Sequence, residues 1–448
     1  MNYSHGERLV ISNTKIQPPL KIGIGILGLG IIGSEFANSL LTQTSSLREK
    51  TETDITISKV LIRNKKKRRS VNLPGDIFTT TGLDVINDPN TNIVVELLGG
   101  TDPAFDLVRK ALLLRIPVIT ANKELVAKHG EELQKIADTN EVDFLYEAAV
   151  GGGIPLIATV KRGLAGTKIE IIKAIINGTT NYILSEMSKS KIDFDVALQK
   201  AQDLGYAEPD PTNDINGNDA AFKLSILSNL AFNAPIHTEN IYTEGITKIT
   251  LNDFQYADEL GYAIKLLAIA KRSPLGSIDI RVHPALVNKS APLAKVNGVL
   301  NAIEITGDLI GEVMFSGEGA GSKPTTNSIL SDLIEIAQNL KSNNKPHSFP
   351  SKKIDYSLYS IDQIEIRYYI RLLVSDKPGM MAKITQVLGN QNISIASVVQ
   401  RENTMIERVA EIVLMTHKSM EKKLFEAIQD LDKLEGVREI ATVIRLEE

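Results

Sequence analysis

Residues 21 to 33 read KIGIGILGLGIIG, in which an apolar run leads directly into three spaced glycines. The run predicts a buried strand, and Gly28, Gly30 and Gly33 form the pattern GxGxxG ahead of an apolar helix. In this pattern the first glycine allows a tight turn, the second lets the backbone approach a pyrophosphate, and the third lets helix and strand pack closely. The phosphates would lie at the helix N-terminus, where free N–H groups favour anions. A glycine-rich turn without function is the alternative, but the position between strand and helix favours a dinucleotide-binding loop of Gly28, Leu29, Gly30, Ile31, Ile32 and Gly33.

The strand–helix rhythm continues to about residue 150. Predicted strands cover residues 55–64, 92–100 and 117–123, and predicted helices cover 103–114 and 124–137. Strands that alternate with helices are typical of a parallel, doubly wound sheet. The sequence therefore predicts an α/β fold whose first domain, residues 21–150, is of the Rossmann type. Residues 1–20 are predicted to be an N-terminal extension, a loose tail or a short added strand, and they lack the apolar segment of a secretory signal.

The pattern changes after residue 150. Strands are predicted at 168–178, 277–287 and 301–310, and long helices at 219–232 and 254–272. This mixture predicts an α+β substrate and dimerisation domain over residues 151–340, whose last helix could return to the first domain. Residues 341–363 are polar and contain two prolines, which predicts a linker. A chain that ends near Ser351 is therefore expected to keep any catalytic activity of the first two domains and to lose any regulation by the last one. Residues 364–448 predict a separate ferredoxin-like domain with the order βαββαβ.

The composition is that of an ordinary soluble globular chain, with 448 residues, 43% hydrophobic and 23% charged residues and a net charge of −4. A weakly acidic balance argues against a general role in binding nucleic acid or a membrane surface. No apolar run approaches the roughly 18 residues of a membrane span, so a cytoplasmic protein is expected. The absence of cysteine from the sequence excludes disulfides, thiolate metal sites and cysteine nucleophiles.

The residues after the second predicted strand bear on the choice of dinucleotide. NAD enzymes of this type carry an acid there, which binds the ribose 2′-hydroxyl. Here the strand ends at Arg63, and the cations Lys65, Lys66, Lys67, Arg68 and Arg69 follow. Cations at this place favour a 2′-phosphate and hence NADP, with NAD left open, and Arg63 is the strongest candidate for the contact. The alternative is a solvated basic loop.

A second unusual stretch is residues 205 to 223, GYAEPDPTNDINGNDAAFK, in which four carboxylates precede the single Lys223. On a helix, Asp219 and Lys223 would share one face at positions i and i+4. A surface ion pair is the simplest interpretation, but it leaves the other three carboxylates unexplained. A site that binds a cationic group and moves a proton accounts for the whole stretch.

This stretch resembles the signature of the homoserine dehydrogenase family. Further segments agree with the resemblance, namely LGLGIIG, ELLGGTDPA, VITANKELVA, YEAAVGGGIP, INGTTNYI and GEGAGSKPT. The resemblance runs from Lys21 to about residue 340, and the C-terminal unit resembles an ACT domain, which some members of the family carry. It implies the reversible, NAD(P)-dependent interconversion of L-homoserine and L-aspartate 4-semialdehyde in threonine and methionine biosynthesis.

The resemblance also implies catalytic roles. Lys223 resembles the proton donor for aldehyde reduction, Asp219 a residue that orients it, and Lys123 a residue beside the nicotinamide and the substrate oxygen. Burial would lower the pKa of Lys223 and nearby carboxylates would raise it, so the sequence leaves the direction open. The alternative is that Lys223 is only a structural partner of Asp219.

The substrate carries both charges, so the resemblance suggests partners for each. Glu208 and Asp214 are expected to bind its ammonium, the Gly178–Thr179 turn its carboxylate, and Tyr206 to line the same pocket. The segment GEGAGSKPT could close over the cofactor, with Gly321 and Lys323 near it, and a simple helix start is the alternative there. The expected cofactor contacts outside the glycine loop and Arg63 are Gly100, Thr101, Lys123 and Gly321.

The segment YEAAVGGGIP resembles the family's loop for a monovalent cation such as Na⁺ or K⁺. Hard cations prefer oxygen ligands, which a carboxylate and backbone carbonyls supply. A glycine-rich hinge between domains is the alternative interpretation. The expected ligands are the Glu147 carboxylate and the carbonyls of Val150, Gly152 and Ile154.

In the C-terminal unit, residues 376–384 read DKPGMMAKI and place a predicted helix start directly after a strand. Free N–H groups at such a start can hold an amino-acid carboxylate. The resemblance to ACT domains implies an amino-acid effector, with L-threonine as the first candidate, and side-by-side pairing in a homodimer or homotetramer. A unit that only assembles the oligomer is the alternative. The residues expected at the effector are Asp376, Pro378, Gly379, Met380, Asn392 and Ile393.

Two other functions share parts of this pattern. Aldehyde oxidation through a thiohemiacetal, as in semialdehyde dehydrogenases, requires a cysteine and is excluded. A non-catalytic sensor could couple a nucleotide-binding domain to an amino-acid-binding domain. Such a sensor would not need the Asp219–Lys223 pair as a source of protons.

Overall fold

The computed structural model describes residues 19–64, 69–273, 276–346, 356–402 and 408–448. Nearly all of the predicted N-terminal extension and the basic residues 65–68 lie outside these ranges. None of the helices within them is long and apolar enough to cross a membrane.

The N-terminal part of the chain alternates strands and helices, as the sequence predicted. In chain order the elements are β1 (Leu20–Leu27), α1 (Ile31–Thr42), α2 (Thr44–Thr51), β2 (Thr53–Leu61), β3 (Phe78–Thr79), α3 (Gly82–Ile86), β4 (Ile93–Glu96), α4 (Ala104–Leu113), β5 (Val118–Thr120), α5 (Lys123–Asn140) and β6 (Phe144–Leu145).

These strands form a parallel sheet in the order β3-β2-β1-β4-β5-β6. This is the strand order of a Rossmann fold, in which ligands bind beyond the carboxyl ends of β1 and β4, where the order reverses. Strands β1 and β4 at the centre are covered on both faces, which is why they are almost continuously apolar, whereas β2 carries several polar residues and is only partly buried. In β1, for example, Ile22, Ile24 and Ile26 are at most 1% exposed.

The middle of the chain has longer strands and a different order of elements. These are β7 (Ile169–Ile175), α6 (Gly178–Ser190), α7 (Phe194–Asp203), α8 (Thr212–Ile215), α9 (Asn218–Phe232), β8 (Tyr242–Thr243), α10 (Leu251–Glu259), β9 (Tyr262–Arg272), β10 (Ile278–Asn288), β11 (Leu300–Gly307), β12 (Gly311–Glu318) and α11 (Ser322–Ser342).

The C-terminal part has the predicted βαββαβ order, with one additional two-residue strand. Its elements are β13 (Glu365–Ser375), α12 (Met380–Asn390), β14 (Ile395–Glu402), β15 (Val409–Thr416), β16 (Ser419–Met420), α13 (Glu421–Asp432) and β17 (Val437–Glu447).

One sheet runs through both the middle and the C-terminal parts, in the order β12-β11-β7-β9-β10-β17-β13-β15-β14. The two parts join where β10 pairs in parallel with β17, for example between Leu286 and Leu446. The C-terminal unit is therefore joined to the middle part by a shared sheet, and not only by the predicted linker. A chain that ends near Ser351 would leave the edge of β10 without its partner strand, so the structure does not favour that truncation.

The helix predicted over residues 254–272 is wrong. Helix α10 ends at Glu259, Gly261 has a φ of 85°, and the following residues form β9. This strand lies between β7 and β10, and its seven central residues are buried. A strand that is covered on both faces has a continuous apolar run, which the sequence alone does not distinguish from a buried helix.

Helix α11 leaves the middle part and packs on the N-terminal sheet. Ile329, Leu333 and Ile336 belong to the same buried cluster as Ile22 and Val60. Residues 319–321, here named the Gly319 loop, connect β12 of the middle sheet to α11. Because α11 packs on the N-terminal sheet, this loop lies at the junction between the two sheets.

Candidate active site

The backbone around the glycine loop explains glycine at two of its three positions, Gly28 and Gly33. Gly28 has a φ of 108°, which side chains rarely adopt, and a Cβ there would lie 2.8 Å from Leu97 O. A Cβ at Gly33 would lie 2.3 Å from Gly28 O, which is the predicted close approach of helix and strand. At Gly30, no described atom lies within 4 Å of the Cβ position, so the surface over the start of α1 is open. This open surface fits a pyrophosphate.

The apolar residues of the same loop divide into two groups. Leu29 and Ile32 pack against the core of the N-terminal sheet, whereas Ile31 is 83% exposed. Arg63 lies two residues beyond the end of β2 and is also exposed. The exposed side chains at and near the loop are therefore the apolar Ile31 and, beyond the end of β2, Arg63.

A buried network that the sequence analysis missed holds the loop at Gly100 and Thr101. Glu96, at the end of β4, accepts hydrogen bonds from Thr120 Oγ1 at 2.5 Å and from Asn122 Nδ2 at 3.5 Å. Burial raises the pKa of Glu96. Asn122 Nδ2 also donates to Gly100 O at 2.6 Å. The polar residues inside the ELLGG and TANK motifs were the available signal, because carboxylates and amides at strand ends need partners once they are buried.

The three predicted catalytic residues form one cluster at the carboxyl ends of the N-terminal strands. Lys223 Nζ donates to Asp219 Oδ2 at 2.7 Å, one turn away on α9, and to Ile176 O at 2.9 Å. Lys123, the first residue of α5, forms an ion pair with the other oxygen of Asp219. The side chains are 3% exposed for Asp219, 11% for Lys223 and 44% for Lys123. Asp219 is thus shared between a buried lysine and one that is about half-exposed.

The two lysines of this cluster have opposite pKa shifts. Burial lowers the pKa of Lys223, and although Asp219 raises it, the positive charge of Lys123 lowers it further. Burial also acts to lower the pKa of Lys123, but the charges of Asp219, Asp214 and Glu208 raise it overall. Burial acts to raise the pKa of the Asp219 carboxyl, but the charges of Lys223 and Lys123 outweigh burial and hold this pKa well below its usual range. The structure therefore decides the direction that the sequence left open for Lys223.

Asn177 links the catalytic cluster to the predicted substrate turn and was also missed in the sequence. Its Nδ2 donates to Asp219 Oδ2 at 2.8 Å and to Asp214 Oδ1 at 2.7 Å. Its Oδ1 accepts from Thr180 N at 2.8 Å and so caps helix α6. The signal was present in INGTTN, because an asparagine directly before a helix is a common N-cap.

The Gly178–Thr179 turn begins α6 beside this cluster. A Cβ at Gly178 would lie 2.8 Å from Val299 O, so the backbone passes too closely for any side chain. Because Asn177 caps the third residue of the helix, the N–H groups of Gly178 and Thr179 remain available for an anion. Thr179 Oγ1 donates to Tyr206 O at 2.6 Å, which brings Tyr206 to the turn.

The carboxylates of residues 208–219 have different surroundings. Asp214 is half-buried, and burial together with the charge of Asp219 raises its pKa. Glu208 is exposed, yet it is close enough to Lys123 to raise the pKa of that lysine. Asp210 has a local role, because its Oδ1 accepts from both the N–H and the hydroxyl of Thr212 at the start of α8.

The predicted cation loop is bonded to the elements around it. The two oxygens of Glu147 accept from Ile157 N at 2.8 Å and Ala158 N at 2.7 Å, and burial raises the Glu147 pKa. Ser328 of α11 donates to Gly152 O at 2.6 Å. These bonds suit a packed hinge, and because carboxylate and carbonyl oxygens have further lone pairs, they also leave room for a cation. The remaining two predicted ligands are Val150 and Ile154, whose side chains are buried.

Metal clusters of another kind are absent from the described parts of the chain, where no three His, Asp or Glu side chains could hold an ion together. Gly321, the last residue of the Gly319 loop, has a φ of 116°, and Lys323 follows in the first turn of α11. The loop also lies against Gly152, where a Cβ would be 2.5 Å from the carbonyl carbon of Gly319.

The predicted effector residues fall into two groups. Asp376, Pro378 and Gly379 are exposed ahead of α12, as is Asn392 after it. Gly379 has a φ of 87° and is the residue directly before α12. Met380 and Ile393 are instead part of the buried core of the C-terminal unit, so their side chains stabilise that unit.

Known protein families match the chain in three regions. The family described as homoserine dehydrogenase matches residues 155–334, and that described as homoserine dehydrogenase, NAD binding domain, matches residues 28–147. The ACT domain family matches residues 368–436. A homoserine dehydrogenase of Synechocystis sp. is 41% identical over 435 residues, which cover 95% of this chain and 100% of the relative. One of Bacillus subtilis is 37% identical over 426 residues, covering 95% and 98%.

Solved structures agree with these matches. A homoserine dehydrogenase from Thiobacillus denitrificans has a TM-score of 0.89 and 40% identity, and the alignment covers 96% of this chain and 99% of that one. A hyperthermophilic archaeal homoserine dehydrogenase in complex with NADPH has a TM-score of 0.62 and 26% identity, with coverage of 74% and 100%.

Proposed function

The chain belongs to the homoserine dehydrogenase family, and on this premise we propose that it interconverts L-homoserine and L-aspartate 4-semialdehyde at the cluster of Lys223, Asp219 and Lys123. It is an oxidoreductase with an NAD(P)-binding domain and an ACT domain. The observation that carries the proposal is the shared carboxylate of Asp219, which pairs with one lysine from α9 and one from α5. One of these lysines follows β5 of the Rossmann sheet, at the edge where such sheets bind dinucleotides.

The dinucleotide is proposed to bind over the glycine loop, with further contacts at Gly100, Thr101 and Gly321. The open surface at Gly30 and the free N–H groups at the start of α1 support a pyrophosphate there. When bound, the nicotinamide supplies or accepts the hydride. NADP is proposed over NAD, because the Arg63 guanidinium suits a 2′-phosphate and the archaeal relative is described in complex with NADPH.

Lys223 is proposed to donate the proton to the substrate oxygen during aldehyde reduction and to remove it in the reverse direction. An ammonium has three N–H groups, and two of them are bound to Asp219 and Ile176 O, so one is left for a substrate. The lowered pKa of Lys223 supports this role, because an acid–base group works best when its pKa is near the working pH. Asp219 orients the ammonium group of Lys223.

Lys123 is proposed to stabilise the negative charge that develops on the same oxygen. Its raised pKa keeps it cationic, and its side chain is about half-exposed. A fixed cation at the position of a developing oxyanion lowers the barrier without giving up its proton. The two lysines therefore have different tasks in this proposal, one moving a proton and the other holding a charge.

The substrate itself is proposed to be held at its two charged ends. The N–H groups of Gly178 and Thr179 bind its carboxylate, with Tyr206 beside them. Asp214 and Glu208 bind its ammonium, which would also lower the repulsion between these carboxylates and Asp219. Asn177 supports both ends, because it caps α6 and holds Asp214.

Several finer assignments stay predictions. They are a monovalent cation at Glu147, Val150, Gly152 and Ile154, L-threonine as the effector at Asp376, Pro378, Gly379 and Asn392, a homodimer or homotetramer, and cytoplasmic location. The division of the chain into a Rossmann-type domain (21–150), a catalytic domain (151–340), a linker (341–363) and an ACT domain (364–448) is proposed with them. The bonds of Glu147 and Gly152 to their surroundings support the hinge as an alternative to the cation.

The proposal is tested by a spectrophotometric assay of the purified full chain. We expect NADPH oxidation that depends on L-aspartate 4-semialdehyde and NADP⁺ reduction that depends on L-homoserine, with lower efficiency for NADH and NAD⁺. A protein that binds NADPH but supports neither reaction would be the non-catalytic sensor, and the proposal would be wrong.

A further inference from the structure

Asn301 is a buried amide whose two polar atoms have no hydrogen-bond partner in the described parts of the chain. It is the second residue of β11 and is 0% exposed. Buried polar side chains are nearly always hydrogen-bonded, because a buried group without a partner keeps its desolvation penalty uncompensated. An exception inside a well-packed sheet therefore needs a physical explanation.

The amide of Asn301 lies where two loops of the proposed active site meet. A Cβ at Gly319 would lie 1.8 Å from Asn301 Nδ2, so the amide is in direct contact with the α-carbon of Gly319. A Cβ at Gly178 would lie 3.7 Å from Asn301 Oδ1. Asn301 therefore contacts the Gly319 loop and stands next to the first residue of the substrate turn.

A neighbouring asparagine in the same region has all its polar atoms paired. Asn181 is 1% exposed, and its Nδ2 donates to Val296 O at 3.2 Å and to Leu300 O at 3.1 Å. Its Oδ1 accepts from Lys265 Nζ at 3.4 Å. The side chain of Asn181 is thus fully hydrogen-bonded, whereas that of Asn301, which contacts the Gly319 loop, is not.

The backbone on either side of the Gly319 loop is held in place. Gly153 N donates to Glu318 O at 3.2 Å, directly before the loop. Ser328, in the second turn of α11, donates to Gly152 O at 2.6 Å. Between these points Gly319 and Gly321 have no side chains that would oppose a change of φ and ψ.

We propose that Asn301 is a positioning residue that locks the Gly319 loop against the substrate turn when the dinucleotide is bound. A rotation of the backbone at Gly319 would replace the α-carbon by a peptide N–H or C=O as the partner of the amide. The amide then stabilises only the ligand-bound arrangement, and a group that stabilises one of two states raises the affinity for the ligand of that state. This inference rests on the proposed function, because it takes Gly321 as a contact of the dinucleotide.

The test compares Asn301→Leu with Asn181→Leu in the full chain. Leucine has the same branching as asparagine but no polar atoms, so Asn301→Leu should keep or raise the Tm of the ligand-free protein. The same variant should raise KM for NADPH roughly three- to tenfold, as expected for one lost hydrogen bond, with a smaller change in kcat. It should also reduce the Tm rise that NADPH causes. Asn181→Leu should lower the Tm of the ligand-free protein, because it removes three existing bonds.

Two results would overturn the inference. If Asn301→Leu lowers the ligand-free Tm as much as Asn181→Leu does, or fails to fold, the amide is a structural group. If Asn301→Leu keeps both the wild-type KM and the wild-type Tm rise with NADPH, the amide does not act on the bound state. Asn301→Met serves as a second apolar variant, so that a packing defect particular to leucine is recognised. A wild-type protein without dehydrogenase activity would instead refute the proposed function.

Discussion

The carboxylate of Asp219 holds Lys223 at 2.7 Å through one oxygen while its other oxygen is paired with a second lysine. Because the carboxylate is shared, removal of Lys223 leaves Asp219 with a cationic partner in Lys123. A variant at position 223 therefore tests proton transfer without leaving a buried negative charge unpaired.

Lys223→Met is expected to lower kcat in both directions by about 10²–10⁴-fold, the usual contribution of a general acid or base. The physical reason is the loss of the proton donor at the substrate oxygen. NADPH binding, measured by fluorescence titration, should stay within a factor of about two of wild type, since the glycine loop is unchanged. A variant that keeps more than half of the wild-type turnover would make Lys223 a structural partner of Asp219.

The two directions of the reaction are expected to depend oppositely on pH. Reduction needs the protonated form of Lys223, so its kcat should fall as the pH rises through the pKa of this lysine. Oxidation needs the neutral form, so its kcat should rise over the same range. Because burial lowers the pKa of Lys223, both changes should occur below the usual pH range of a lysine. Profiles with the same slope in both directions would contradict the assignment.

Arg63→Asp is expected to shift the ratio of kcat/KM for NADPH over NADH by about ten- to a hundredfold toward NADH. In the proposed binding mode, the substitution would remove a charge-assisted hydrogen bond to the 2′-phosphate and supply an acceptor for a ribose hydroxyl. Lys50→Asp is the control, because it makes the same charge change on an exposed residue ahead of β2, at the strand's other end. If both variants keep the wild-type ratio, Arg63 does not contact the dinucleotide.

Arg371→Met is expected to lower the free energy of unfolding by about 3–5 kcal/mol, the usual effect of breaking a buried ion pair. Arg371 of β13 donates to Asp253 at 2.7 Å and to Glu411 at 2.8 Å, and it is only 4% exposed. Asp253 lies in the first turn of α10, so this network joins the ACT unit to the catalytic part. Urea unfolding measures the change.

The matched control for that variant is Arg401→Met. Arg401 also bonds across the same boundary, to Glu259, but both side chains are about half-exposed. Water screens such a pair, so little change in stability is expected. An equal loss in the two variants would show that burial of the Arg371 network is not what stabilises the junction.

L-Threonine is expected to lower the activity of the full chain. Asp376→Ala and Asn392→Ala should each raise the half-inhibitory concentration, by roughly tenfold if a charge-assisted bond is lost. Asp430→Ala, an exposed acid on α13 of the same unit, is the control and should change nothing. A wild-type enzyme that is insensitive to threonine would leave the ACT unit with a role in assembly alone.

The sequence by itself was sufficient for features that depend on nearest neighbours along the chain. The loop after β1 requires a positive φ at Gly28 and a close approach at Gly33, and both demands act within one strand–turn–helix unit. The pairing of Asp219 with Lys223 is likewise set by the helical repeat. For the same reason the βαββαβ order of the C-terminal unit could be predicted in full.

The sequence was insufficient where the environment of a segment decides its structure. Residues 262–272 form a strand because they lie between β7 and β10, and an apolar run of this kind suits either a strand or a helix. The pairing of β10 with β17 joins strands that no local signal connects. Both outcomes depend on contacts between segments that are far apart in the sequence.

Only the tertiary structure decided how the groups of the site act on one another. Lys123 reaches Asp219 because the start of α5 packs beside α9, and this contact helps to lower the pKa of Lys223. The unpaired amide of Asn301 lies against Gly319, a contact between β11 and the loop before α11 that no local pattern in the sequence indicates. The sequence determined which charges and hydrogen-bonding groups the site contains. Coulombic and hydrogen-bond energies depend on distance and on the exclusion of water. Only the folded chain determines the distances between these groups and their access to water.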